Sequence, residues 1–565
     1  MSSRREILQI GVAAAAMAAA QGLGPLARAA AQQRITESEL LKFDSFGNVT
    51  LLHLADLHGQ LMPVFLREPS LNTGAIAALG LPPRMTAKDL LAHFNIPSGS
   101  PVAHALTSED FAALARSYGR IGGLDRAATV VRAVRAERGE DHVLLFDGGD
   151  TWQGSLTSYR TRGQDMVECF RLLKPDAMTG HWEFTQGETR VKELIDALGC
   201  PFLAQNVRDT EWQDPVFEAY RMFEKGGVKI ALIGQAFPYT ALGVPRRLIP
   251  RWSFGLREQD IRANVANARR EGAALVVLLS HNGFAIDRKL AGRVEGIDVI
   301  LTAHTHDPLP EAVAVGKTLL VAGGSHGKFL SRLDLDVRSS GIDGFRFKLI
   351  PLFADAIKPD PEMQATIARV RAPFAGELSR VVGRTDTLLY RRGRFDCSVD
   401  DLICSALIEE RDAEIALSPG FWWGTSLLPG SPITVEDIHN MTSITYPEVC
   451  RSAMSGQRLK DILEDVADNL FNPDPYYQQG GDMIRCGDVG YTIDVSKPAG
   501  QRIADMTLLR SSRPIEPDKD YVVASWACGS DGVEGPAIWD LLESHVARKA
   551  VVSVKPASSV KVIEP

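Results

Sequence analysis

The sequence predicts an α/β fold in two parts, and three observations carry that expectation. Between residues 45 and 355, short aliphatic runs alternate with helical patterns. The runs are apolar on both faces instead of alternating with polar residues, as strands are when a sheet is covered on both sides. The chain has 565 residues, too many for one hydrophobic core. Past residue 383 the rhythm changes to Gly/Pro-rich turns, short strands and helices of α+β character.

The elements follow in order. Residues 1–31 open with Ser3-Arg4-Arg5-Glu6-Ile7-Leu8, continue through an Ala-rich apolar stretch and end in small residues around Ala27, Ala29 and Ala31. This reads as a twin-arginine export signal, with an ordinary secretory signal as the alternative, and not as a membrane span. The periplasm is therefore the expected location. Strands are expected at Val49–Leu54, Val143–Phe146, Lys229–Ile233, Ala274–Leu279, Val299–Leu301 and Leu319–Val321. Helices are expected at Ile121–Arg138, Gln164–Leu173, Glu188–Leu198 and Arg257–Glu271. Residues 67–118 interrupt this rhythm and read as an inserted lid or wall. Residues 356–382 read as a linker helix, and 383–565 as a second domain.

Later segments contain no apolar run long enough to span a bilayer. A net charge of −8 and a pI of about 5.9 lack the basic footprint of a nucleic-acid binder. The cysteines are Cys169, Cys200, Cys397, Cys404, Cys450, Cys486 and Cys528. None forms a CxxC pair and their number is odd, so no disulfide framework or zinc site is expected from them.

Four separated motifs carry the chemistry. His53-Leu54-Ala55-Asp56-Leu57-His58-Gly59 and Leu144-Leu145-Phe146-Asp147-Gly148-Gly149-Asp150 each follow an expected strand. The third is Thr179-Gly180-His181-Trp182-Glu183-Phe184-Thr185, and the fourth is split between Ser280-His281-Asn282-Gly283 and Ala303-His304-Thr305-His306. Open α/β sheets hold their ligands beyond strand C-termini, where several of these motifs stand. Asp56, His58, Asp150, His181, His281, His304 and His306 suffice for two adjacent divalent ions, with Asp150 as the natural bridge. A mixed His/Asp set suits Mn, Fe or Zn better than Ca or Mg. His93, His104, His142, His439 and His545 lack this context and read as structural; His326 either lines the pocket or serves a turn.

These motifs resemble the 5′-nucleotidase family of calcineurin-like metallophosphoesterases. The resemblance implies an N-terminal four-layered β-sandwich flanked by helices and a C-terminal α+β substrate-recognition domain. The family's third motif runs Gly-Asn-His-Glu-Phe-Asp, with a ligand Asn and a catalytic His oriented by the Asp. Here His181, Trp182 and Thr185 stand at those places. The family's arginine-bearing Gly-Gly-Gly-Ile-Arg segment is replaced by Ser418-Pro419-Gly420-Phe421-Trp422-Trp423-Gly424. These departures, with Tyr476-Tyr477-Gln478-Gln479-Gly480-Gly481-Asp482-Met483 and Gly323-Gly324-Ser325-His326-Gly327-Lys328-Phe329-Leu330, are similar to the SoxB branch of thiosulfohydrolases.

That branch implies two Mn²⁺ ions, with Zn²⁺ compatible with the same ligands. It also implies a cysteine S-thiosulfonate substrate on the SoxY arm of the SoxYZ carrier, from which a metal-bridging hydroxide releases sulfate. Asp56, His58, Asp150 and His306 would hold one ion, and Asp150, His181, His281 and His304 the other. Asn206 and Arg485 are expected either to orient sulfonate oxygens or to make structural contacts. Trp182, Trp422, Trp423, Tyr476 and Tyr477 either wall a channel for the carrier arm or pack in a core. A sulfonate sulfur expels a persulfide-type anion, a better leaving group than an alkoxide, so loss of the acid dyad is tolerable. The alternatives are a periplasmic 5′-nucleotidase or sugar-nucleotide phosphohydrolase, and a metal-holding scaffold that binds a partner without turnover.

Overall fold

The computed structural model describes residues 35–70, 80–393, 395, 397–529, 534–555 and 559–563. The expected signal at 1–31 lies outside the described residues. Among those residues, no helix is long and apolar enough to cross a membrane.

Two sheets face each other in the N-terminal half. The first has the order Gly341–Pro351, Phe329–Arg338, Val49–Leu54, Val143–Asp147, Ala177–Met178. Val49–Leu54 runs parallel to Val143–Asp147 and antiparallel to Phe329–Arg338. The second has the order Val313–Val315, Thr318–Ala322, Val299–Thr302, Leu275–Ser280, Val228–Gln235, Tyr220–Lys225. Its four central strands are parallel.

The period-2 alternation of side chains divides each strand between two cores. Val49, Leu51, Leu144 and Phe146 of the first sheet meet Leu232, Val277, Leu279 and Leu301 of the second. Leu52, Leu54, Val143 and Leu145 point the other way, to the helices Leu124–Arg138 and Gln164–Leu173. Ala231, Ile233, Val276, Leu278 and Ile300 likewise pack on Glu258–Arg270 and Phe284–Ala291. The result is the expected four layers, helix on sheet on sheet on helix. Each Val, Leu or Ile buried here stabilises by about 1.5–3 kcal/mol, which is why these strands read as unbroken apolar runs.

Residues 80–118 include the helices Ala87–His93 and Pro101–Leu106, capped by Thr86 and Ser100, and the helix Phe111–Tyr118. Leu90, Leu106, Leu114 and Tyr118 join the core that holds Ile121 and Leu124. The helix Pro361–Arg371 starts at the side-chain cap of Asp360 and buries Met363, Ile367 and Val370 in that same core. These three residues dock the helix on that core.

In the C-terminal half, one sheet has the order Val449–Ser455, Asp520–Trp526, Ile415–Ser418, Arg485–Gly487. A second has the order Arg513–Pro514, Ile503–Leu508, Val489–Asp494, Val560–Ile563. The helices Ser398–Arg411 and Gly456–Phe471 pack beside these sheets. One expectation about the cysteines is corrected: Cys450 and Cys528 are joined by a disulfide across 78 residues, because the strands Val449–Ser455 and Asp520–Trp526 pair and bring them together.

Candidate dinuclear metal centre

The ligand candidates sit where strands end. Asp56 and His58 follow Val49–Leu54, Asp150 follows Val143–Asp147, His281 follows Leu275–Ser280, and His304 and His306 follow Val299–Thr302. Asp56, His58, Asp150, His304 and His306 all have positive φ, between 50° and 74°. Such conformations are uncommon outside glycine and persist only where surrounding contacts enforce them.

Those contacts are visible. Asp56 N donates to Gly149 O at 2.8 Å, His58 N to Asp150 O at 2.7 Å, and His326 N to Asp56 O at 2.8 Å. Gly149 has φ 92°, and a Cβ there would stand 2.8 Å from Gly180 Cα, so the Asp150 and His181 loops touch only because glycine faces glycine.

The structure brings all seven candidates together as two buried quartets. Asp56, His58, Asp150 and His306 form one, and Asp150, His181, His281 and His304 the other. Within each, the ligand atoms lie within 4.8 Å of one another, and Asp150 is common to both. His281 Nε2 is 3.2 Å and His58 Nε2 3.8 Å from Asp150 Oδ2, while His181 Nδ1 is 3.4 Å from Oδ1. His58 Nε2 and His306 Nε2 are 3.1 Å apart.

The donor chemistry fits divalent ions. His181 Nδ1 and His281 Nε2 are buried without a hydrogen bond of acceptable geometry, although both face Asp150. The opposite ring nitrogens are held by the protein. His281 Nδ1 bonds Gly148 O at 2.6 Å and His304 Nε2 bonds Gln479 O at 3.1 Å, leaving His281 Nε2 and His304 Nδ1 with lone pairs for the cluster. Burial holds the His304 and His306 imidazoles well below their ordinary range and pushes His58 to about 4. Neutral imidazole is the ligating form.

For Asp150, burial works upward, but the neighbouring His181 and His281 outweigh it and hold the carboxyl well below its usual range. His281 is the counterpart. Burial works downward there, yet Asp150 and then Asp56 push it to about 10. Asp150 and Asp56 thus draw positive charge to His281 Nε2, a charge that a divalent ion there would supply in place of the proton, leaving the imidazole neutral.

Two residues supporting the ligands escaped sequence reasoning. Glu183 accepts from the main-chain N–H groups of Asp150 (3.1 Å), Thr151 (2.6 Å) and His181 (2.8 Å), fixing two ligand loops with one carboxylate. Asp147 accepts from Gly149 N and Thr151 Oγ1. Both lie inside the quoted motifs, and their burial beside main-chain donors is the signal that only the fold reveals.

Asn206 and Arg485 stand elsewhere. Asn206 donates to Ala236 O and Gly255 O and accepts from Ala236 N, which uses its whole amide. Arg485 makes a bidentate pair with Asp401 at 2.7 and 2.9 Å. Neither lines the cavity over the quartets, so both have the structural contacts given as their alternative.

That cavity has a volume of about 280 Å³. Its floor is His58, Asp150, His181, His304 and His306, and its roof comes from the C-terminal half, with Phe421, Trp422 and Trp423. Trp182 meets Phe421 and Trp423 edge-to-face at 5.6 and 5.5 Å, and Trp423 stacks on His58 at 6.0 Å. Gly424 N donates to His326 Nε2 at 3.1 Å, which pins the roof to the floor and gives His326 a definite role. Of the other aromatic candidates, the Tyr476 hydroxyl donates to Glu258 and Tyr477 is exposed, so neither lines this cavity.

Known proteins agree with this architecture. Residues 381–550 match the family model of the 5′-nucleotidase C-terminal domain. The sulfate thiohydrolase SoxB of Thermus thermophilus, solved with glycerol, superposes with a TM-score of 0.89 at 35% identity, covering 93% of this chain and 98% of that one. A 5′-nucleotidase precursor, also from Thermus thermophilus, shares the fold, with a TM-score of 0.73 at 20% identity over 92% of this chain and 100% of that one. The 5′-nucleotidase of Bos taurus is 24% identical over 529 residues, 84% of this chain and 88% of its own length. With this fold, this pair of quartets and this likeness over nearly its whole length, the chain belongs to the 5′-nucleotidase family of calcineurin-like metallophosphoesterases, the superfamily that also holds SoxB.

Proposed function

We propose that the protein is a thiosulfohydrolase of the SoxB type. It would release sulfate from a cysteine S-thiosulfonate carried on the SoxY arm of a SoxYZ carrier. The observation that carries this reading is the aromatic roof. Trp182 and Thr185 occupy the places of the family's acid dyad, and the Thr185 hydroxyl is spent on Trp182 O at 2.6 Å. Every histidine lining the cavity already belongs to a quartet. The 35% identity to SoxB supports the same reading.

Asp56, His58, Asp150 and His306 would hold one ion, and Asp150, His181, His281 and His304 the other. Manganese is the proposed metal, and the same donors accept zinc. Bound there, two divalent ions supply Lewis acidity toward water and toward the anionic sulfonate. The protein's own part is to orient and to exclude. Phe421, Trp422, Trp423 and Trp182 shut bulk water away from the sulfur–sulfur bond and offer an apolar wall to an extended arm. As oxygen from water joins the sulfonate sulfur and gives up its two protons to solvent, the sulfur–sulfur bond breaks and its electron pair leaves on the carrier as a persulfide-type anion. That anion needs no protein acid. The reading includes export: the twin-arginine segment would deliver a folded, metal-loaded protein to the periplasm.

The test is sulfate release from thiosulfonate-loaded SoxYZ by the manganese-loaded protein, with AMP in parallel. Sulfate without phosphate is expected. Phosphate without sulfate would return the protein to the nucleotidases and assign proton donation to another group near Trp182.

A further inference from the structure

The quartets have a second approach, on the far side of His304 from the aromatic cavity. A throat of about 50 Å³ touches His304, Trp422 and Gly480 and opens outward into a vestibule of about 270 Å³. The two share Pro83, Arg84, Phe284, Ala285 and Gln478, so they form one path from the ligand cluster to the surface. The aromatic cavity meets His304, Trp422 and Gly480 from its own side.

The lining of this path is cationic and shaped for an oxyanion. Arg392 is only 6% exposed, and its Nε is buried without a hydrogen-bond partner. Its guanidinium lies 5.0 Å from the Trp422 ring centroid and is steadied by an Nη2 bond to Thr305 O at 3.3 Å. Arg84, also buried, is aimed by a bond from Nη2 to Gln478 Oε1 at 3.1 Å.

The third contributor is the helix Phe284–Ala291, whose first residues Phe284, Ala285 and Ile286 line the throat and whose N-cap is Gly283. Phe284 N donates to Thr305 Oγ1 at 3.2 Å, and the glycine at the N-cap offers no side chain to the N–H groups of Ala285 and Ile286. Asp287, within the first turn, is turned away to Ser280 Oγ at 2.8 Å and Asn282 Nδ2 at 2.9 Å. A helix N-terminus attracts anions through its dipole and its N–H groups, and guanidinium matches the oxygens of a tetrahedral oxyanion. Asp307 is the acidic residue in the lining, against Arg84 and Arg392. The vestibule adds Arg288 and Lys289 at the mouth, with Lys289 paired to Asp474.

We propose that this throat is a binding site for the sulfate ion, formed by Arg84, Arg392 and the N-terminus of the helix Phe284–Ala291. It gives the released oxyanion a way out while the carrier arm still fills the aromatic cavity. Sulfate as occupant rests on the thiosulfohydrolase reading; the site itself rests on the cavity, the unpartnered Arg392 Nε and the Ala285 and Ile286 end of the helix.

The experiment needs no turnover, so its failure and the failure of that reading are distinguishable. Crystals of the metal-loaded full chain grown with selenate, a sulfate analogue, should show selenium anomalous density in the throat beside Arg392 and Ala285. In solution, radiolabelled sulfate should bind about tenfold more weakly to Arg84→Gln and to Arg392→Gln, the loss of one charged hydrogen bond each. Arg84→Lys, which keeps the charge, should bind sulfate more tightly than Arg84→Gln and reports that the fold is intact. Selenate found only at the metal quartets, equal sulfate binding by wild type and both Gln variants, or a tenfold preference for phosphate would each overturn the proposal.

Discussion

The floor and the roof of the candidate active site are built by different means. The floor is a lattice of short main-chain bonds among strand-end loops, with five ligands in left-handed conformations and Glu183 tying two loops together. The roof is a set of aromatic rings from the other half of the chain. It is anchored by Gly424 N on His326 and by ring contacts between Trp182, Phe421 and Trp423. The floor supplies the metal-ligand candidates, and the roof shapes the cavity above them. Reaction type and substrate can then change separately, which is consistent with nucleotidases and a sulfate thiohydrolase sharing one fold.

Substitutions can break this division of labour. Asp150→Asn, in the floor, should remove charge from both quartets and lower turnover by about a thousandfold or more, over ~4 kcal/mol of barrier. Metal content and sulfate release measured together check it, and retention of both ions with full activity would refute the shared-ligand assignment. Against the roof, Trp182→His combined with Thr185→Asp should restore an acid dyad and raise phosphate release from AMP by about a hundredfold. An unchanged AMP rate would mean that the roof, not the dyad, keeps nucleotides out.

Glu183→Gln should weaken metal binding about 10- to 100-fold while leaving the aromatic roof in place. Chelator competition reads the affinity, and tryptophan fluorescence reads the roof. The smallest effect concerns both halves. His104 in the wall and His439 beneath the roof are each pushed by burial to about 3 from 6.5. A base depressed in the folded state stabilises it above the unfolded pKa, and that stability drains as pH falls from about 6.5 toward 3. The acid-side fall in melting temperature should be shallower in His104→Gln and His439→Gln than in the wild type; equal slopes would place the sensitivity elsewhere.

The legibility of the sequence follows the same line. Val49–Leu54 and Gln164–Leu173 were readable to the residue, because both faces of the first and one face of the second are apolar. The hairpin Phe329–Arg338 and Gly341–Pro351 was not. Its Arg332 and Asp334 look like surface residues, yet they are buried and paired with each other and with Glu137. All seven ligand candidates were legible because short motifs mark them. Arg485 was not, since nothing local announces that Asp401, 84 residues earlier, will claim its guanidinium. The disulfide Cys450–Cys528 depends in the same way on a strand pairing that residue spacing does not encode.

One contact separates the two quartets. His304 is the ligand candidate whose ring bonds the main chain of the C-terminal half, at Gln479 O. A Cβ on the next residue, Gly480, would stand 2.5 Å from His304 Nε2. The partner quartet of Asp56, His58, Asp150 and His306 has its loops laced within the N-terminal half and meets the other half through supporting contacts, the Trp423 ring on His58 and Gln153, which donates to Ser443 O at 2.6 Å. Any parting of the halves would therefore free a ligand ring directly in one quartet and only supporting contacts in its twin. The two ions would differ in exchange rate, one resident and one renewable, and a chelator should strip the protein in two steps.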